Sequence, residues 1–154
     1  MTRFSRRTFV LGGLATAGSV VAPTRSAWAA APFPFRLGVA SGEPAPNSVV
    51  LWTRLAPAPL NADGYGGMPT ADVAVEWQVS ATSAFTTLVT CGTVAARRAD
   101  AHAVHVVAGG LTADSEYYYR FRAQGHVSPV GRTRTAPALD TVGRAINRET
   151  ERAV

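Results

Sequence analysis

The side chains best equipped for chemistry in this sequence are Asp100 and His102 in an Asp-x-His pair, His105 three positions further on, His126, Ser41 in "ASGEP" and the single cysteine Cys91. A two-metal hydrolytic centre needs several carboxylate, imidazole or amide ligands converging on one opening. Asp100-Ala101-His102 stands alone in a polar turn before a strand, so it reads as turn chemistry sooner than as a metal block. His102 and His105 fall three apart on a predicted strand, and the two-residue period sends them to opposite faces. His126 reads as a solvated turn residue. Ser41 lacks the G-x-S-x-G elbow and a recognisable triad order. A phosphate-cradling loop would need glycine-rich backbone opening a helix, and Gly38 and Gly42 open none. Cys91, between Thr90 and Gly92, reads as a small buried packing residue. No catalytic, cofactor-binding or metal-ligating set emerges from these residues.

The elements that would have to position such groups are strands. Apolar alternation and turn residues predict seven: Phe35 to Ala40, Ser48 to Leu55, Val73 to Ser80, Leu88 to Ala95, His102 to Val107, Tyr117 to Ala123 and Val127 to Thr135. In the third, Val73, Val75, Trp77 and Val79 share a face against Ala74, Glu76 and Gln78; in the sixth, Tyr117, Tyr119 and Phe121 oppose Arg120 and Arg122. Half-buried antiparallel sheets carry this pattern. No amphipathic helix precedes residue 138, which argues against a βαβ fold and for an all-β, seven-stranded antiparallel sandwich of the immunoglobulin or fibronectin-III kind. Leu111 and Tyr117, six apart in "LTADSEY", place a tyrosine where its hydroxyl can return to backbone at a corner. Trp52, Trp77, Leu111, Tyr117 and Tyr119 are expected in the core, with Trp52 and Trp77 facing each other from opposite sheets.

Charge is concentrated at one end. All 15 basic residues are Arg, and Arg3, Arg6, Arg7 and Arg25 belong to the first 29 residues, leaving 11 Arg against 10 Asp and Glu in the remainder. So nearly neutral a body has no footprint for nucleic acid. Residues 1–29 read as an export signal: Ser5, Arg6, Arg7 and Phe9 form a twin-arginine arrangement, a weakly apolar Gly/Ala-rich run follows, and Ala27 and Ala29 offer small residues at cleavage spacing. The run is shorter and more dilute than the roughly 20 apolar residues of a membrane span, so no stable anchor is expected after cleavage. The expected partner is the twin-arginine export machinery, which carries folded proteins, and the destination is periplasmic or extracellular. One cysteine permits no internal disulfide, so the domain must be held by its core.

In the order in which they occur, "GVASGEP", "VVLWTRLAP", "YYYRF" and "SPVGRTRTAP" are similar to recurring phrases of the PhoD-like alkaline phosphatase and phosphodiesterase family. The resemblance covers residues 1–137 and assigns 30–137 to that family's N-terminal β-sandwich. It implies a larger metallophosphatase domain holding calcium and iron or related metals, where phosphoester hydrolysis would reside. After Pro137 the chain departs from the pattern: residues 138–154 read as an off-family tail, a short helix or disordered, without the family's Ser-Cys, Gly-Asp and Asn-His segments. The expectation is a form without the catalytic domain, inactive by itself and without cofactor, from a truncated or frame-shifted gene. A free-standing extracytoplasmic binding or accessory module is the alternative.

Two surface expectations follow. Arg120 and Arg122 on the sixth strand and Arg132 and Arg134 on the seventh should crowd one face, either as a solvated face partly neutralised by Glu76 or as a docking face for an acidic patch on a metallophosphatase domain. Strand two is apolar on both faces, with Val49 and Leu51 alternating with Val50 and Trp52. Val49 and Leu51 are expected to need cover from the loop 56–70 or from another domain.

Overall fold

A computed structural model describes residues 31–138, and the signal residues Ser5, Arg6, Arg7, Phe9, Ala27 and Ala29 lie outside them, as does the tail from residue 139. Eight strands run through the described residues: β1 (Val39–Ala45), β2 (Ser48–Arg54), β3 (Val73–Ser80), β4 (Leu88–Ala96), β5 (Ala103–Gly109), β6 (Glu116–Ala123), β7 (His126–Val127) and β8 (Gly131–Arg134). A single 3-10 turn, Arg98–Asp100, is the one helical element among them. The first sheet has the order β1-β2-β5, and the second β4-β3-β6-β7 with β8 also on β6. All pairings are antiparallel. Three strands facing four or five in this order make a fibronectin-III-like sandwich.

The strand count exceeds expectation by one because the last predicted strand is broken at Pro129. That residue has no N–H to give a ladder. Ser128 takes over at the break, accepting from the Phe121 N–H at 2.9 Å and donating to the Pro129 carbonyl at 2.7 Å. The first strand is also displaced. Phe35 to Gly38 form a turn closed by a 3.0 Å hydrogen bond from the Gly38 N–H to the Phe35 carbonyl, so pairing begins at Val39 and runs to Ala45. Gly38 takes φ +75° there, a conformation that glycine adopts without penalty.

Between the sheets lie Val49 and Leu51 of β2, Val75, Trp77 and Val79 of β3, Val104 and Ala108 of β5, and Tyr117, Tyr119 and Phe121 of β6, with Phe35, Leu55, Met68 and Leu111 closing the ends. The corner tyrosine works through a defined bond: Tyr117 Oη accepts from the Thr112 N–H at 2.9 Å, holding the turn that enters β6. Trp77, Leu111, Tyr117 and Tyr119 all belong to this core.

Trp52 does not, contrary to expectation. Val49 and Leu51 are 1% and 0% exposed, so the strict alternation of β2 turns Val50 and Trp52 outward. With both faces apolar, periodicity alone could not choose between them. The loop after β2 meets that strand at one end only, Met68 joining the core and Gly64 accepting from Arg54, while Val49 and Leu51 lie in the core between the sheets. The Ala56 N–H donates to the Pro34 carbonyl at 2.8 Å, and the Arg98 guanidinium lies 3.7 Å over the Tyr65 ring.

Candidate functional site

Where the histidines were expected to do nothing catalytic, the geometry gives one of them a structural task. Ala101 and His102 both take left-handed backbone, at φ 49° and 58°, which swings the His102 ring inward ahead of β5. The ring is wholly buried, with Nδ1 3.1 Å from the Ala96 carbonyl and Nε2 3.1 Å from the Pro69 carbonyl. Both nitrogens thus face carbonyl oxygens, so neither is directed at a site where an ion could sit. Asp100 is exposed on the 3-10 turn, and His105 projects from the opposite side of β5 against Trp52, ring centroids 6.2 Å apart. An open groove of about 500 Å³ between β4 and β5 is lined by Arg97, Asp100 and His105, with too few donors to bind a metal pair. Among the described residues no three His, Cys, Asp or Glu side chains meet as a metal would require. The calcium and iron implied by the resemblance therefore do not fit here, and no chemical step can be routed through them.

His126 and Cys91 differ from expectation. His126 is half-buried, its Nε2 beside the Ala31 carbonyl and its ring 5.7 Å edge-on from Phe33, so it ties the incoming chain to the β6–β7 turn. Cys91 is exposed, because its register opposite Gln78 puts it on the outer face of the edge strand β4. Ser41 sits in mid-strand opposite Leu51 and forms no elbow.

The four arginines do share the outer face of the second sheet, but not as an unpaired cationic cluster. Register places Arg122 opposite Glu76 and Arg120 opposite Gln78, with Arg132 opposite Tyr118 and Arg134 opposite Glu116. Arg122 then meets Glu76 at 3.6 Å, Arg132 meets Glu116 at 3.3 Å and Arg134 meets Asp114 at 2.8 Å. Arg120 Nε donates to Gln78 Oε1 at 2.7 Å, and its guanidinium lies 4.1 Å over the Phe85 ring. Gln78 hands the polar chain on to Glu76. Exposed pairs of this kind contribute about 0–1 kcal/mol each, and they cancel three of the four positive charges locally, while Arg120 is held by Gln78 and Phe85 without being neutralised. Tyr118 joins the same lattice. Its hydroxyl donates to Glu116 Oε1 at 3.0 Å, and the carboxylate holds the phenol proton above its ordinary range. Phe85 was not foreseen: it sits in the Ser/Thr-rich turn 81–87 at φ 52°, and only the folded register brings it over Arg120.

The outer face of the first sheet has a different character. Along β2 the outward row is Ser48, Val50, Trp52 and Arg54, flanked by Ala40 and Gly42 of β1 and by His105 and Val107 of β5. Arg54 is drawn back into the end loop, Nε donating to the Ala101 carbonyl at 3.0 Å and Nη2 to the Gly64 carbonyl. Val107 is 68% exposed and Trp52 half-buried. This face is apolar, nearly uncharged and uncovered by any described residue.

The class these features define is an all-β, fibronectin-III-like sandwich domain, with an ion-paired face on one sheet and an apolar face on the other. The chain belongs to the PhoD-like phosphatase family, whose N-terminal domain matches residues 20–137. It is 47% identical over 145 residues to alkaline phosphatase D of Bacillus subtilis (strain 168), covering 88% of this chain and 24% of that protein. The solved structure of PhoD is 52% identical, with a TM-score of 0.67, over 70% of this chain and 20% of that one. A fibronectin type III domain derived from a human protein aligns at 13% identity and a TM-score of 0.45, over 66% of this chain and 72% of that domain. The chain thus spans about a quarter of the length of its curated relative and corresponds to its N-terminal part.

Proposed function

We propose that this chain is the exported N-terminal scaffold of a PhoD-like alkaline phosphatase, non-catalytic in itself, whose role is to dock against a metallophosphatase domain. What carries the proposal is a conjunction: the match to the N-terminal quarter of an alkaline phosphatase falls on a sandwich whose described residues bring no metal-ligating triad together. Phosphoester hydrolysis needs converging ligands, so it must reside in sequence that this domain does not supply. Export by the twin-arginine route to the periplasm or cell exterior is supported by Ser5, Arg6, Arg7 and Phe9 and by the small residues Ala27 and Ala29. No helix among the described residues is long and apolar enough to cross a membrane.

The test is direct. Purified chain incubated with p-nitrophenyl phosphate or bis-p-nitrophenyl phosphate, with calcium and iron added, is expected to release no nitrophenol above the protein-free rate. Metal-dependent turnover by this polypeptide would end the proposal.

A further inference from the structure

We infer that the outer face of the first sheet, centred on Trp52, Val50, His105 and Val107, is the surface on which the portion of a PhoD-like polypeptide following this domain seats. The inference rests on the scaffold function proposed above and adds to it the identity of the face. Two observations, chemistry and area, select that face and that occupant, and the point where the chain leaves is compatible with both.

The first is chemical. The opposite face spends its charges internally, through Arg122 with Glu76, Arg132 with Glu116, Arg134 with Asp114 and Arg120 with Gln78, so a partner there would have to desolvate satisfied ion pairs. The first sheet offers instead a half-exposed indole beside an imidazole and two valines, with its one arginine engaged elsewhere. Interface cores are depleted in charge and organised around aromatic anchors, and the half-buried Trp52, opposite the small Ala40 and against His105, supplies such an anchor at the centre of this face.

The exit point follows from backbone hydrogen bonds. The Ala136 N–H donates to the Ala45 carbonyl at 3.1 Å, and Ala45 pairs with Ser48, the first residue of the outward row. From Ser48, Val50 is two residues along β2 and Trp52 four, so roughly 7 and 13 Å away. The Asp114 N–H in turn donates to the Ala136 carbonyl at 3.1 Å, so the sequence after Ala136 emerges at the edge the two sheets share, within reach of this face though only two residues past Arg134 on the other; the exit permits this face without selecting it.

The second observation is area. Three strands of seven residues present a face of roughly 14 by 23 Å, so an interface there would bury about 600 Å² counted on both partners. That falls short of the roughly 1,200 Å² typical of stable free association but lies at the lower end of the range for domains within one chain. The tether supplies the effective concentration that a second copy lacks. The occupant is therefore the covalently following domain and not a second molecule of this chain.

Hydroxyl-radical footprinting tests this on two samples: the full chain alone, and an active chimera in which residues 31–137 replace the N-terminal domain of the Bacillus subtilis relative. Phosphatase activity of the chimera certifies that its catalytic part is folded. Oxidation of Trp52 and His105 is expected to fall severalfold in the chimera, while Tyr118 on the other face keeps the rate it has in the chain alone. Val107→Glu, at a largely exposed position, should restore Trp52 oxidation in the chimera without unfolding the sandwich. Protection of Tyr118 with Trp52 unchanged overturns the choice of face and leaves the scaffold function standing. No protection on any face of an active chimera overturns both. Concentration-dependent protection of Trp52 in the chain alone makes a second copy the occupant and overturns the inference.

Discussion

Tyr119 carries a hydroxyl into the core between the sheets. It is 2% exposed, and burial raises its phenol above the ordinary value near 10, the nearby Ser41 hydroxyl acting in the opposite direction. Below pH 10 both folded and unfolded chains keep the proton, so the group's contribution to stability is fully present there. Above it the unfolded chain ionises first, and stability falls as pH climbs through the raised native value. Urea midpoints measured from pH 8 to 11 are expected to be flat and then to decline, with a shallower decline in Tyr119→Phe. An equal decline in that variant would place the alkaline sensitivity elsewhere, Tyr118 being the other phenol raised, there by Glu116. His102 shows a related economy. A buried imidazole spans the carbonyls of Ala96 and Pro69, so one side chain fastens the end loop to the turn before β5.

At the scale of elements, the second sheet is set by two glycines that lie beneath aromatic rings. Gly131 of β8 pairs with Tyr119 of β6, and a Cβ there would overlap the tyrosine ring; a Cβ on Gly92 of β4 would come within 2.8 Å of Trp77. Gly131→Ala therefore forces either Tyr119 off its rotamer or β8 off its ladder, at an expected cost of about 1–3 kcal/mol read from the denaturation midpoint. An unchanged midpoint would mean that β8, an edge strand, shifts freely. These contacts also mark where the sequence was legible. Alternation in β3 and β6 named their inward residues, because one face of each is polar. In β2 both faces are apolar, so Trp52 was placed on the wrong one; in β4, Cys91 and Thr93 look outward only because Gln78 and Glu76 fix the register. The left-handed turn that buries His102 and the placement of Phe85 over Arg120 arise from backbone geometry and cross-strand distance, which linear spacing does not encode.

As a whole molecule, the domain is held without a covalent cross-link, since its one cysteine has no second to pair with. Stability comes from the core between the sheets, and the core can form before export because nothing in it awaits an oxidising compartment. That matters for the route. A twin-arginine carrier passes folded cargo, so if the proposed route holds, two independent changes should reduce export: Arg6→Lys with Arg7→Lys, which removes the recognition pair, and Gly131→Ala, which weakens the folded state at a distance from the signal. Fractionation of cells expressing each form is expected to show the double arginine variant retained inside with its sandwich intact, and the glycine variant exported less only when the cells are grown near its lowered midpoint, where the unfolded chain is populated. If the double arginine variant leaves the cell as well as the parent does, the twin-arginine reading falls, and the pair is acting only as the positive end of a general secretory signal, a role that lysine fills equally well.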